Sequence, residues 1–223
     1  MTEKQLELLV VEDTPSHMED VQTLLKARVE AGVKLQVDYA STLQEAQEKL
    51  AARRYDGIMS DLFFPEKVGE ETSDLGTQVA RYALQQKIPF VIVTSTYHHG
   101  RKTESASRWL RDDVNIGLID ASTEDRDGEA IHKNWRGGYL TLMYFIEAVQ
   151  EGVVTFKGQR VEGKVEPTEK GQRYYDLRSL TADLINNMDY HEKQGELSDY
   201  VQGRGESNPV FGLALQKYCQ GMF

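Results

Sequence analysis

Three short stretches of this chain end in side chains suited to phosphate and metal chemistry. Glu12-Asp13 follows the apolar run Leu6 to Val11, Asp61 closes the run Asp56 to Asp61, and Thr94-Ser95 closes the run that begins at Phe90. In an open parallel sheet, ligands collect outside the carboxyl ends of the strands, so these are the positions at which such a fold does its work. Strands one and three are neighbours in the simplest order for such a sheet, which would bring Glu12, Asp13 and Asp61 into one shallow cleft. Three clustered carboxylates repel one another unless a hard cation neutralises them, and an oxygen-only site with waters suits Mg²⁺. With the charge neutralised, one carboxylate can act as nucleophile towards a phosphoryl group, because phosphoryl transfer needs alignment and charge compensation above all. Asp61, the sole acid at its strand end, is the candidate nucleophile, and the Thr94 hydroxyl could donate to a phosphoryl oxygen. The plainer alternative is that acids often follow strands and that Asp at a turn caps a helix or closes an Asx-turn, which at any single position is an even match for the chemical reading.

The elements that must hold these residues are legible as β-α units. Apolar runs alternate with amphipathic stretches over the first 150 residues, the pattern of a parallel sheet covered on both faces. Leu6 to Val11, Leu35 to Ala40, Asp56 to Asp61, Phe90 to Thr94 and Ile116 to Ile119 read as five strands, the last weakened by Gly117. Helices are predicted from Pro15 or Ser16 to Gly32, from a Ser41 or Thr42 cap through Leu50, over Leu75 to Gln86, around Ser105 to Leu110 and over Tyr139 to Val149. A polar loop containing four acids and one Lys, Glu66 to Asp74, follows Asp61. The connection Asp120 to Gly138 is long for a β-α unit.

The expected architecture is therefore a doubly wound α/β fold, five parallel strands in the order 2-1-3-4-5, over residues 1–150. Residues 151–223 form an α-rich C-terminal extension, with a possible β-hairpin over Val153 to Val165 turning at Lys157-Gly158-Gln159, an amphipathic helix marked by Leu177 to Met188, and a second helix starting at Asn208-Pro209. The extension is expected to pack on the main sheet.

Composition excludes several classes of function. The 223 residues include 26 Lys+Arg and 36 Asp+Glu, a formal charge of −10, with 39% hydrophobic residues, as expected of an ordinary globular chain. The acidic balance opposes broad affinity for nucleic acid or anionic membrane. The extension holds 9 basic and 11 acidic residues and shows two convincing helices where a DNA-binding helix-turn-helix module needs about three and a basic face. The longest apolar runs, such as Phe90 to Val93, are far too short to span a bilayer, and the first residues lack the basic region and cleavage site of a signal peptide, so a cytoplasmic location is expected. The single cysteine, Cys219, excludes an internal disulfide framework.

Taken with their surroundings, the acids resemble the receiver domain of two-component response regulators. The resemblance runs through LLVVEDTPSHMEDVQTLL, YDGIMSDLFFP with Pro65 four positions after Asp61, and IPFVIVTS with Thr94, and it covers about residues 5–150. It implies that Asp61 is a phosphoacceptor supplied by a histidine kinase or phosphotransfer protein. Glu12 and Asp13 would be the Mg²⁺-binding pair, with Asp61 and the backbone carbonyl of Phe63 completing the metal site. Thr94, with Ser95 beside it, would be the switch hydroxyl that contacts the phosphoryl group and passes the signal to the helix-four face. The family's output is a change in affinity for a partner protein, here an unknown one, with at most slow autodephosphorylation and no enzymatic turnover.

Two departures weigh against a standard switch. The family ends strand five with a Lys that contacts the phosphoryl group, whereas this chain reads Ile116-Gly117-Leu118-Ile119-Asp120, with neither that Lys nor the aromatic switch residue. Lys133, in the long connection, could fold back as a substitute, although nothing in the sequence positions it. The acidic loop after Asp61 should also make a phosphoryl group less welcome. The alternative function is a phosphorylation-independent pseudo-receiver acting as a protein-interaction module. A phosphatase of the haloacid-dehalogenase type needs Asp-x-Asp after strand one, where this chain has Glu12-Asp13-Thr14, and no Gly-rich nucleotide-binding loop follows that strand. The extension could cover the sheet, meet a partner or support a homodimer, and the sequence does not choose among these.

Overall fold

A computed structural model of the chain describes residues 5–95, 102–119, 133–152 and 154–163. Its centre is the strand β1 (Leu6–Val11), whose last four residues are fully buried and whose two edges pair in parallel with different neighbours. One neighbour is β2 (Leu35–Ala40), the other β3 (Gly57–Ser60). The helix α1 (Pro15–Glu30) makes the first crossover, with Pro15 in its first turn, where a missing N–H costs nothing. The second crossover is α2 (Leu43–Ala52), capped by the Thr42 hydroxyl accepting from Glu45 N at 3.1 Å, while the Glu45 carboxylate reaches back to Ser41 N at 2.7 Å.

After β3 the chain departs from the expected polar loop. Phe63–Pro65 (β4) and Thr72–Asp74 (β5) pair antiparallel as a small hairpin, turning where Gly69 takes φ +86°. Phe64 is fully buried, and this anchoring, hidden by the acids around the turn, is what gives the segment order. The hairpin feeds α3 (Gly76–Gln86), then β6 (Phe90–Ile92), which pairs in parallel with β3. The parallel sheet thus runs β2-β1-β3-β6, flanked by helices, a flavodoxin-like arrangement. In the fifth place stands one parallel bridge, Val93 to Ile119, with Thr94 N donating to Ile119 O and Ile119 N to Ile92 O. Among the described residues the expected fifth strand, Ile116 to Ile119, pairs through that one bridge, and Asn115, left-handed at φ 72°, separates it from the preceding helix.

That preceding helix is α4 (Glu104–Arg108), continued by a π-helical segment, Trp109–Val114. The last helix, α5 (Trp135–Gln150), starts four residues before the predicted Tyr139. Gly137 and Gly138 read as breakers in the sequence, yet Asn134 caps the helix by accepting from Gly137 N at 2.8 Å. Gly138 is required by packing, since a Cβ there would lie 2.5 Å from Val93 Cγ2. On the same face, a Cβ at Gly57 would meet the Ile146 and Leu142 side chains, so α5 lies directly across β3 and β6.

Residues 154–163 form the expected hairpin, β7 (Val154–Lys157) and β8 (Arg160–Gly163), with Gly158 at φ 61° in its turn. It is seated on the sheet domain: Val154 and Val161 are buried, Phe156 stacks on Phe145 of α5 at 5.6 Å, and the Asn115 amide donates to Val161 O at 3.1 Å. The two helices expected in the extension, and Cys219, lie outside the described residues. No helix among the described residues is long and apolar enough to cross a membrane.

Candidate functional site

Parallel pairing of β1 with β3 places the residues after their carboxyl ends side by side. Asp61 N donates to Val11 O at 2.8 Å, which brings the Asp61 side chain to Glu12 and Asp13. One ligand oxygen from each of Glu12, Asp13 and Asp61 lies within 4.8 Å of the other two. Glu12 and Asp61 are buried, and Asp13 is half-buried at the rim.

The decisive contact comes from far along the chain. The Lys133 ammonium lies 2.7 Å from Asp61 Oδ2 and also donates to Glu12 Oε2, with side-chain exposures of 1% for Lys133, 8% for Asp61 and 0% for Glu12. A buried ion triad of this kind is tolerated only with close pairing and satisfied remaining lone pairs. Both conditions hold here. Asp61 Oδ1 accepts from Leu62 N at 2.6 Å and Glu12 Oε1 from Thr14 N at 2.9 Å, so each carboxylate is also tied to backbone. Lys133 is positioned by α5: Trp135 N donates to Lys133 O at 2.9 Å, and the Trp135 ring centroid lies 5.5 Å from the ammonium, within cation–π range. The lysine thus enters the cleft from the start of α5, and the end of the fifth strand contributes none.

Burial pushes the Asp61 carboxyl up to about 6, an effect that the Lys133 charge opposes and the Glu12 charge reinforces. Asp61 is consequently ionised for the most part at neutral pH. A cation seated among the acids would ionise it further.

Behind Asp61 the backbone is packed without slack. A Cβ at Gly76 would lie 2.3 Å from Asp61 O and 2.8 Å from Leu62 Cα, and Gly76 N donates to Leu62 O at 3.0 Å. Ser60 Oγ donates to Asp61 O at 2.7 Å. Thr94 is buried, and its N–H is fixed to Ile119 O; Ser95 is half-buried beside it. Phe63, whose backbone carbonyl the resemblance assigns to the metal site, lies in β4, two residues after Asp61 and opposite Asp74 in register.

Sequence reasoning missed Gly76, Asn134 and Trp135. Asn134 carried a readable signal, since Asn three residues before a glycine pair fits a helix cap. Gly76 and Trp135 carried none, because both owe their roles to contacts across the fold.

The donor set fits a divalent ion. Three oxygens converge from three carboxylates, and the single Lys133 charge leaves a formal excess of two negative charges. Glu12, Asp13 and Asp61 are the residues that would hold Mg²⁺.

Several solved structures similar to this chain are receiver domains or response regulators. One is the receiver domain of a signal transduction histidine kinase from Syntrophus aciditrophicus, 25% identical over 52% of this chain and 75% of that one, with a TM-score of 0.38. Another, a bacteriophytochrome response regulator, is 16% identical, with 65% of this chain and 94% of that chain covered and a TM-score of 0.43. A chemotaxis response regulator of Vibrio cholerae is 17% identical, covering 52% and 84%, with a TM-score of 0.34. No family model and no curated protein matches the chain. At these TM-scores the functional reading rests on the acid–lysine geometry.

Proposed function

We propose that this chain is a response-regulator-like signalling protein, phosphorylated on Asp61 in a Mg²⁺-dependent reaction and switching its affinity for a partner protein. The observation that carries the proposal is the Lys133 ammonium 2.7 Å from Asp61 Oδ2 and beside Glu12, which supplies the cation that the fifth strand lacks. In the transfer, one Asp61 oxygen forms a bond to phosphorus as the phosphorus–nitrogen bond to a donor histidine breaks, and the imidazole keeps that electron pair and takes a proton. The histidine belongs to a histidine kinase or a phosphotransfer protein. Lys133 pairs with the oxygens of the transferred group, a charge-assisted contact stronger than a neutral hydrogen bond. Glu12, Asp13 and Asp61 would hold Mg²⁺, whose charge offsets that of the entering phosphoryl group. Thr94, at the next strand end, is the hydroxyl that would close on the phosphoryl group and pass its arrival to the α4 side. Gly76 and the Leu62 N–H hold Asp61 in place while this happens. The chain acts as a switch, with at most slow autodephosphorylation.

One observation favours the second reading, a phosphorylation-independent interaction module. Glu12 and Asp61 are each already satisfied on both oxygens from within the protein. Titration with beryllofluoride, a mimic of aspartyl phosphate, followed by NMR with and without Mg²⁺, separates the two. Mg²⁺-dependent shifts spreading from the cleft and lost in Asp61→Asn support the switch. A folded protein that shows no response supports the module.

A further inference from the structure

The same ammonium that faces Asp61 also occupies Glu12, one of the acids proposed to hold the metal. A lysine serving only a phosphoryl group needs no contact with Glu12. Here Glu12 is fully buried, its Oε2 is paired with Lys133 and its Oε1 accepts from Thr14 N, so each oxygen of this carboxylate already has a partner within the protein. Asp13 is half-buried, and among the described residues no ion pair to it is found.

We propose that Lys133 is a tethered counter-ion that competes with a divalent cation for Glu12, so that filling the metal site releases the lysine from Glu12 and from the face of the Trp135 ring. The inference rests on the proposed cation site and adds to it the identity of the group that regulates it.

Two physical points support it. The Lys133 ammonium and a bound cation would both lie within a few ångströms of the same carboxylate oxygens, and like charges at that separation in a buried cleft repel strongly. The backbone of the lysine is fixed where α5 begins. Its carbonyl accepts from Trp135 N in the first turn of α5, Asn134 caps that helix through Gly137 N, and the Trp135 ring lies under the ammonium. An ammonium that leaves Glu12 by rotation of its side chain also leaves the face of the Trp135 ring. Asn134 and Trp135 are positioning residues in this scheme, since neither touches the acids in any contact described above.

The test is direct cation binding, measured by calorimetry with Mg²⁺ and by Mn²⁺ paramagnetic resonance on the full chain, comparing wild type with Lys133→Met and Lys133→Arg. Removing the competing charge should tighten binding at least about tenfold in Lys133→Met, whereas Lys133→Arg, which keeps the charge, should bind no more tightly than wild type. In a Trp109→Phe background, Mg²⁺ should also change the Trp135 fluorescence of the wild-type site, because the ammonium leaves the ring. Should Lys133→Met fail to fold, the fluorescence of the Trp109→Phe protein decides, since a Trp135 signal unchanged at saturating Mg²⁺ overturns the competition. A wild type that binds Mg²⁺ with variants of unchanged or weaker affinity overturns the competition and leaves the cation site standing. If neither wild type nor the variants bind, the cation site itself falls, and the competition with it.

Discussion

Gly76 offers the sharpest separation of packing from chemistry. A methyl group there would be placed 2.3 Å from Asp61 O, 2.8 Å from Leu62 Cα and 3.2 Å from Asp61 C. Comfortable separations for such pairs are about 3.5–4.0 Å, so relief demands a shift of roughly 1 Å. All three atoms are backbone, and the backbone of Asp61 and Leu62 is held by Asp61 N donating to Val11 O, Ser60 Oγ donating to Asp61 O and Gly76 N donating to Leu62 O, so that shift must move β3 or α3. Overpacking of this kind costs about 1–3 kcal/mol, and the upper part of that range applies where no side chain can rotate aside. A loss of about 2–3 kcal/mol in Gly76→Ala corresponds to a fall in Tm of roughly 4–12 °C for a chain of this size. Because the displaced atoms carry the Asp61 side chain, beryllofluoride affinity should fall along with stability. Gly69→Ala is the matched control: nothing lies within 4 Å of its Cβ, and only its φ of +86° is strained, so it should cost about 1 kcal/mol and leave analogue binding alone. Differential scanning calorimetry and analogue titration on both variants decide the matter. A Gly76→Ala protein with wild-type Tm and wild-type analogue affinity would refute the claim that this contact positions Asp61.

Three further outcomes are expected. Lys133→Met leaves Glu12 and Asp61 facing each other without their shared cation, which should destabilise the metal-free protein by about 3–5 kcal/mol in denaturant unfolding; saturating Mg²⁺ should recover much of this, and a loss under about 1 kcal/mol would contradict the buried triad. Asp13→Asn should abolish Mg²⁺ binding with the fold intact by circular dichroism, and unchanged affinity would remove Asp13 from the metal site. At the opposite end of the sheet, the Tyr55 hydroxyl donates to Asp38 Oδ2 at 2.6 Å and, with the Arg53 charge, holds the Asp38 carboxyl below its ordinary value. A lowered folded-state value means that the contribution of Asp38 is complete above the ordinary carboxylate range, near 3.8, and is lost as pH falls through the folded value. Tyr55→Phe should therefore cost about 1 kcal/mol at neutral pH and flatten the acid limb of the stability profile, and an acid limb identical to wild type would sink the assignment.

Much of this molecule was legible from its residues because the signals were local. Leu6 to Val11 and Leu35 to Ala40 are strands to the residue, the first because a central parallel strand is buried along an apolar run, the second because an edge strand alternates apolar Leu35, Val37 and Tyr39 with polar Gln36 and Asp38. The same locality gave the acids their position, because whatever follows a parallel strand stands at its carboxyl edge. The hairpin over β7 and β8 was readable from Lys157-Gly158-Gln159 for the same reason, a turn residue being a local requirement. Where packing overrode local signals, sequence reading failed. Gly137-Gly138 resembles a break in α5 and is a close approach to Val93, and the acids of Glu66 to Asp74 resemble a loop although Phe64 beneath them is buried.

The lysine marks the boundary between the two kinds of information. Composition and spacing by themselves determined a doubly wound sheet and a carboxylate cluster at the carboxyl ends of its strands, and the resemblance to receiver domains added that a lysine is wanting on the fifth strand. They left Lys133 as one basic residue in a long connection, because 72 positions separate it from Asp61 and 121 from Glu12, and no periodicity spans such distances. Only the tertiary structure decided that the start of α5 brings its ammonium into the cleft. The physical reason is that two buried carboxylates with fixed backbone donors leave a strongly negative point, and the fold can bury it only by bringing in a cation from wherever the chain can reach.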